Sequence, residues 1–338
     1  MAINSMEKSV IEHDKFISSL IFCQKAPNLL LSSSWDGTLS ILDSSTQEKS
    51  IFNLPVKDPE CNYSLPIIQA NFLQNSSEDI ISLDLTNKIR ISNMNTTKFT
   101  EVSLPIESQL FSFCQVENTE SDLVLLDNSG NIYRIDTRTP NLISAKVSTQ
   151  EQITSVKLVN NLLIGVDLEQ IHLFDIKELT KPIKEMPHTN VGDEITSMDY
   201  VSNESIILGG SEGRIAVEFL DNTKGKNYSF KCHRVEEETK TNVYAVTSIK
   251  YDPKKRIFYS GGEDGMIYSW DYLKKKKISK GIKEPSGISN IAININQNLL
   301  AYSVSTLIDE SESEDNKSPH YVNLVDMNDV QFFSQSKK

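Results

Sequence analysis

The chain has 338 residues, of which 38% are apolar and 24% charged, with only 13 Gly and 11 Pro. That composition suits a packed core and excludes a collagenous, low-complexity or disordered chain. Its 34 Lys and Arg against 46 Asp and Glu give a net charge of −12, which argues against non-specific nucleic-acid binding, because such binding needs a cationic surface that releases counterions.

The N-terminal stretch MAINSMEKSVIEHDK lacks the apolar centre of a secretory signal. The longest apolar runs are about five residues, against the ~20 that a membrane helix needs. Cys23, Cys61, Cys114 and Cys232 form no C-x-x-C pair, which points to reduced thiols rather than a disulfide framework or a cysteine zinc site. A soluble intracellular protein is the expectation.

One short phrase recurs along the chain: a β-branched residue, two small polar residues, then an apolar one. It reads ISSL from Ile17, ITSV from Ile153, ITSM from Ile195, VTSI from Val246 and ISNI from Ile288, with weaker versions near Leu65 and at Leu110. Seven starts near 17, 65, 110, 153, 195, 246 and 288 repeat at about the period of propeller blades. Each is followed by a second run (NLLLSSS at 28–34, DIISLDL at 79–85, DLVLLDN at 122–128, NLLIGVD at 161–167, SIILGGS at 205–211, RIFYSGG at 256–262, NLLAYSV at 298–304). After a turn comes a third: TLSILD, KIRISN, NIYRID, QIHLFD, RIAVEF, MIYSWD and YVNLVD. In RIAVEF, residues Ile215, Val217 and Phe219 alternate with Ala216 and Glu218, the period of a strand. A looser fourth run follows in most repeats, such as NYSFKCHR at 227–234.

These repeats predict an all-β fold, a seven-bladed β-propeller formed by the whole chain, 1–338. A four-stranded blade cannot bury both faces alone, whereas seven packed radially do so and leave short edges. The segment around residues 7–12 is expected to supply the outer strand of the last blade; the run DVQFFSQ at 329–335 is the alternative. The acidic stretch at 305–320, with DESESED at 309–315, reads as a disordered insertion in the last blade. It is expected to overhang the same face as Arg214.

The pattern resembles the WD-repeat family in decayed form: only Trp270-Asp271 stands at the end of a third strand, while Asp43, Asp136, Asp175 and Asp326 keep the Asp alone. The stretches SEGRIAVEFLD (211–221) and YSFKCHR (228–234), with SSWDGTLSILD (33–43) and YSGGEDGMIYSWD (259–271), resemble the mitotic spindle-checkpoint propeller of the budding-uninhibited-by-benzimidazole type, related to the messenger-RNA-export propeller. That resemblance implies a non-enzymatic adaptor without cofactor. It would bind a GLEBS-type motif of a checkpoint kinase or a kinase-less relative. It would also read phosphorylated Met-Glu-Leu-Thr motifs of a kinetochore scaffold. It implies a nuclear protein, at the kinetochore in mitosis, with the cytoplasm as a further location, and with no membrane or direct nucleic-acid partner. The alternatives are an export propeller that binds a nucleoporin and a generic WD-repeat scaffold.

Arg214 opens the third strand of the fifth repeat and Lys231 lies on the strand that follows, so both can reach one face. An Arg fork with a second cation suits a phosphothreonine, and the resemblance places the phosphate on these two. The structural alternative is an Arg that pairs with Glu212 or Glu218. Trp35 sits in the equivalent turn of the first repeat, where the resemblance implies the peptide-binding face and the alternative is packing on a neighbouring blade. Glu218, Arg234, Asn128 and Thr196 are further candidates for that face. Asn128 stands where the family often has Trp, and Thr196 is nearest to an Arg that the family uses to pair with an acid of the GLEBS motif. The second repeat has Asn87-Lys88 in place of a turn glycine.

Other chemistry has bland readings. Gly209-Gly210-x-x-Gly213 and Gly261-Gly262-x-x-Gly265 lead into strands rather than helices, so they read as hairpin turns and not nucleotide loops. His13, His172, His188, His233 and His320 show no metal spacing. Cys232 and His233, adjacent on a strand, are expected to point to opposite faces and to be structural. No G-x-S-x-G elbow occurs. Asp193-Glu194 reads as solvated turn charge, and Lys274 to Lys277 as a solubilising turn.

Overall fold

A computed structural model describes residues 3–4, 10–53, 64–96, 98–119, 121–149, 152–202, 205–221, 223–306 and 319–328. Most of the acidic stretch, residues 307–318, and the run 329–335 lie outside the described residues.

The described residues form almost only antiparallel sheets, with a single 3-10 turn at Ile176–Glu178 and no α-helix. The sheets are the seven blades of a β-propeller. By contacts the chain divides into two compact units, residues 21–188 and residues 1–20 with 189–338.

The unit at 21–188 holds three complete blades. Their strands are Ile67–Phe72, Asp79–Asp84, Ile89–Asn93 and Phe99–Val102; Leu110–Gln115, Asp122–Asp127, Ile132–Asp136 and Ile143–Val147; and Ser155–Val159, Leu162–Val166, Gln170–Asp175 and Lys184–Pro187. It also holds Leu29–Ser34, Thr38–Asp43 and Lys49–Asn53 of the first blade, whose inner strand is Ile17–Phe22.

In the other unit the fifth blade is Ile195–Ser202, Ser205–Gly210, Arg214–Phe219 and Tyr228–Lys231. The sixth has Ser248–Asp252, Ile257–Gly261 and Met266–Asp271, with an outer edge split between Lys276–Lys277 and Ile282–Lys283. The seventh has Ile288–Ile293, Leu299–Val304 and Tyr321–Asp326, completed from the start of the chain. There Ile11 pairs with Val322 and Glu12 with Tyr321, flanked by Val10 and His13 amides that donate to Val322 and His320 carbonyls.

Burial grades across each blade and explains the sequence pattern. The second strands are sandwiched, so Ser205–Gly210 is buried at all six positions and reads as a continuous small and apolar run. Outer strands are solvated, and Phe99–Val102 buries only Val102. The core lies between neighbouring blades: Ile81, Leu83 and Ile89 pack with Phe113, Leu125 and Tyr133, and Ile207, Val217 and Val246 with Phe258 and Trp270. Sheets that share such apolar layers cannot stand alone, which is why the repeats stack.

The recurring phrase of the inner strands has a physical cause. Its β-branched residue is buried, and in the fifth, sixth and seventh blades the hydroxyl after it donates to the same β-branched position of the next blade, whereas Thr154 uses the Val166 carbonyl of its own blade. Thr196 Oγ1 reaches the Val246 carbonyl at 2.8 Å, Thr247 Oγ1 the Ile288 carbonyl, and Ser289 Oγ the Ile17 carbonyl at 3.1 Å. Ser197 Oγ adds a second bond to Val246 O at 2.6 Å. The polar pair thus satisfies carbonyls that the sheet ladder leaves open.

The Asp that ends each third strand also has a job. Its carboxylate accepts the amide two residues on, which closes the turn to the outer strand: Ser45 on Asp43, Arg138 on Asp136, Lys177 on Asp175, Leu273 on Asp271 and Asn328 on Asp326, all at 2.8–3.0 Å. Asn93 does the same for Asn95 and Asp221 for Thr223. Four blades keep Asp at the strand end without a Trp before it because this turn needs a short acceptor and no indole. In the second repeat Asn87 takes φ +61° in place of glycine. Asparagine tolerates that conformation, and its side-chain oxygen accepts the Leu110 amide at 2.8 Å.

Candidate functional site

Arg214 and Lys231 are direct partners across the third and outer strands of the fifth blade. Arg214 follows Ser211-Glu212-Gly213, where Gly213 has φ +59° and an added Cβ would lie 2.6 Å from the Cys232 carbonyl. The Cys232 amide donates back to Gly213 O at 2.9 Å. This backbone clamp fixes both ends of the pair. Arg214 is one-third exposed and its Nε lies 3.9 Å from Glu212 Oε2, a long contact in solvent. Lys231 is exposed and its ammonium pairs with none of the described residues.

Glu218 is placed differently from the expectation that it lines the peptide-binding face. It is fully buried, and its Oε1 accepts the Thr189 amide at 2.8 Å. Its Oε2 has no hydrogen-bond partner. It neither pairs with Arg214 nor offers surface to a peptide. A propeller's third strand is buried on both faces, so strict alternation does not sort core from surface there. Arg234 is half-buried and donates from Nη2 to the Glu212 carbonyl at 2.7 Å, so it braces the turn before Arg214. Thr196 is half-buried and uses its hydroxyl on Val246 O.

Two candidates lie in the other unit. Trp35 is 40% exposed, in the turn where the Thr38 amide donates to Asp36 at 2.8 Å. Asn128 is exposed, its amide on the Gln109 carbonyl at 2.8 Å and its own carbonyl accepting from the Gln152 side chain.

Cys232 and His233 are not on a strand, so the alternation expected of them does not apply. The outer strand ends at Lys231 and His233 turns into φ +45°, so both side chains are buried. His233 Nδ1 lies 2.8 Å from Asp264 Oδ1 and Nε2 2.9 Å from Ser260 Oγ, which also accepts from Trp270 Nε1 at 2.9 Å. This Asp264–His233–Ser260–Trp270 chain pins the fifth blade's exit to the sixth blade. Burial, reinforced by the Asp264 charge, pushes the Cys232 thiol up to about 12 and the Tyr268 phenol to about 12. Elsewhere other groups fill comparable positions, such as His172 between Asp167 and Glu185, and Arg90 between Asp84 and Glu101.

The basic turn at 274–277 is partly tied down: Lys274 pairs with Asp271 at 3.3 Å, and Lys275 and Lys277 lie over the Tyr228 and Tyr268 rings. Among the described residues no three His, Cys, Asp or Glu side chains gather as a metal site, and no helix is long and apolar enough to cross a membrane.

A feature with no signal in the sequence adjoins the Arg214 turn. A cavity of about 480 Å³ opens among the inner-strand ends of the 1–20/189–338 unit, lined by Phe16, Glu194, Thr196, Tyr244, Glu263 and Ile288 among others. These residues come from the start of the first repeat and from the fifth, sixth and seventh repeats, and only the fold collects them.

The family profile for the WD domain, G-beta repeat, matches residues 5–43 and 227–271, the segments that carry the Asp36 and Trp270 turns. The chain is a β-propeller that carries WD repeats over those two segments and is similar to the mitotic-checkpoint proteins. It is 24% identical over 310 residues to the mitotic checkpoint protein bub3 of Dictyostelium discoideum, across 88% of each chain. It is 28% identical over 179 residues to the mitotic checkpoint protein BUB3.1 of Arabidopsis thaliana, a match that spans 52% of this chain and about half, 53%, of that one. Export propellers are similar as well: the mRNA export factor GLE2 of Chaetomium thermophilum is 30% identical over 163 residues, 47% of this chain and 45% of that one.

Proposed function

We propose that this checkpoint-type propeller is a non-enzymatic adaptor that reads a phosphorylated threonine with Arg214 and Lys231, in Met-Glu-Leu-Thr motifs of a kinetochore scaffold. In the same reading it holds a GLEBS-type motif of a checkpoint kinase or kinase-less relative, and Trp35 and Asn128 serve peptide contacts. It acts in the nucleus and at mitotic kinetochores. The observation that carries the reading is the register pairing of Arg214 with Lys231. Two like charges set directly opposite repel, and neither has a close counter-ion: Arg214 has one contact at 3.9 Å. A dianionic phosphate relieves that repulsion and accepts from the guanidinium fork.

The test is fluorescence anisotropy with a Met-Glu-Leu-Thr peptide, phosphorylated and unphosphorylated, at two salt concentrations, with and without a GLEBS-type peptide. Phosphate-dependent binding that Arg214→Ala/Lys231→Ala abolishes supports the reader. Equal weak binding of both peptides removes it. That result leaves the export reading, which the GLE2 similarity favours and the net charge of −12 disfavours for its RNA-binding half.

A further inference from the structure

We infer that the cavity beside the Arg214 turn receives a basic side chain, an arginine or lysine, from the bound partner segment. The inference deepens the peptide-binding reading above and rests on it.

The cavity's volume, about 480 Å³, is in the range of sites that enclose a ligand group. Its wall is mixed. Phe16, Tyr244 and Ile288 provide apolar and aromatic surface, Thr196 a hydroxyl, and Glu194 and Glu263 carboxylates. Both glutamates are exposed and neither carboxylate has a hydrogen-bond or ion-pair partner among the described residues. Among the described residues no cation lines the cavity. Among the described residues no third ligand joins the acids to make a metal group. A long alkyl stem that ends in a cation fits each part of this wall: the stem lies on Ile288 and the rings, and the head meets the carboxylates.

The cavity also connects to the proposed phosphate site through the backbone. The Glu194 amide donates to Ser211 Oγ at 3.2 Å and the Ser211 amide to the Glu194 carbonyl at 3.0 Å. On the other side, a Cβ on Gly213 would lie 3.0 Å from the Tyr244 carbonyl. The turn that ends at Arg214 is therefore flanked by two cavity residues. A single extended segment can place a phosphate on Arg214 and Lys231 and a basic residue in the cavity. Opposite charges on the two subsites fix its direction, since a reversed segment would set like charges together.

The test uses the full chain with isoleucine methyl groups labelled for NMR, Ile288 being the reporter. The probes are the capped tripeptides Ala-Arg-Ala, Ala-citrulline-Ala and Ala-Glu-Ala, none of which carries phosphate. The expected result is a saturable Ile288 shift with the arginine peptide, at least tenfold weaker with the neutral citrulline isostere and absent with glutamate. In Glu194→Gln/Glu263→Gln, whose exposed isosteric changes leave the remaining methyl spectrum in place, the arginine affinity falls to that of citrulline. Equal binding of arginine and citrulline, no Ile288 shift at millimolar arginine peptide, or full affinity in the double variant overturns the inference. Because the probes lack phosphate, failure here with intact phosphopeptide binding removes the cation subsite alone, and the converse removes the phosphate reading alone.

Discussion

Arg214 and Lys231 face each other in register across one edge of the fifth blade, so the chain holds two cations side by side at a stability cost. Lys231→Gln is expected to raise the melting temperature slightly, because it removes like-charge repulsion, while phosphopeptide affinity falls at least tenfold. Scanning calorimetry alongside anisotropy checks both. A fall in both would mean that Lys231 supports the fold.

The Ser260 hydroxyl serves two buried partners at once, His233 Nε2 and Trp270 Nε1. Ser260→Ala leaves both without an acceptor or donor, and each buried unsatisfied group costs about 1–3 kcal/mol. Urea denaturation should show a loss of at least about 2 kcal/mol. Trp270→Phe leaves Ser260 with His233 and gives up the indole bond.

Gly213 sits at φ +59° with the Cys232 carbonyl where a Cβ would go. Gly213→Ala therefore combines left-handed strain of about 1–2 kcal/mol with a backbone clash. The turn should shift, lowering stability and displacing Arg214. Phosphopeptide binding should weaken together with melting temperature, which separates this variant from Lys231→Gln.

Burial holds the Cys232 thiol at about 12 and the Tyr268 phenol at about 12. Both are acids whose folded values lie above the ordinary ones, about 8.5 for Cys and 10 for Tyr. The folded state therefore keeps protons that the unfolded chain releases. Stability is full below about pH 8.5 and declines as pH rises towards 12. Urea melts at pH 8 and pH 10.5 should show the loss, and Cys232 should resist thiol reagents at pH 8 until the protein unfolds.

Much of the fold was legible because its physical causes are local. The inner-strand phrase recurs where a hydroxyl reaches the next blade's carbonyl, as Thr196 reaches Val246, and third strands end in Asp because the turn needs an acceptor. Strand alternation and the Gly213 turn likewise brought Arg214 and Lys231 together on paper. Alternation failed at Glu218, since neighbouring blades cover both sides of its strand. It failed again at His233, where one left-handed residue ends the strand earlier than the hydropathy pattern suggests. The cavity was invisible, because Phe16, Glu194 and Glu263 stand far apart in sequence and meet only in the folded unit.

The pairing of Ile11 and Glu12 with Tyr321 and Val322 has a temporal side. At a synthesis rate of about 5–20 residues per second, the partner strand leaves the ribosome on the order of tens of seconds after the segment it must bind. Throughout that interval the early segment waits as an unpaired edge. The last blade cannot close before the strand Tyr321–Asp326 has been made, so the early segment stays an open edge until the other blades are already synthesised.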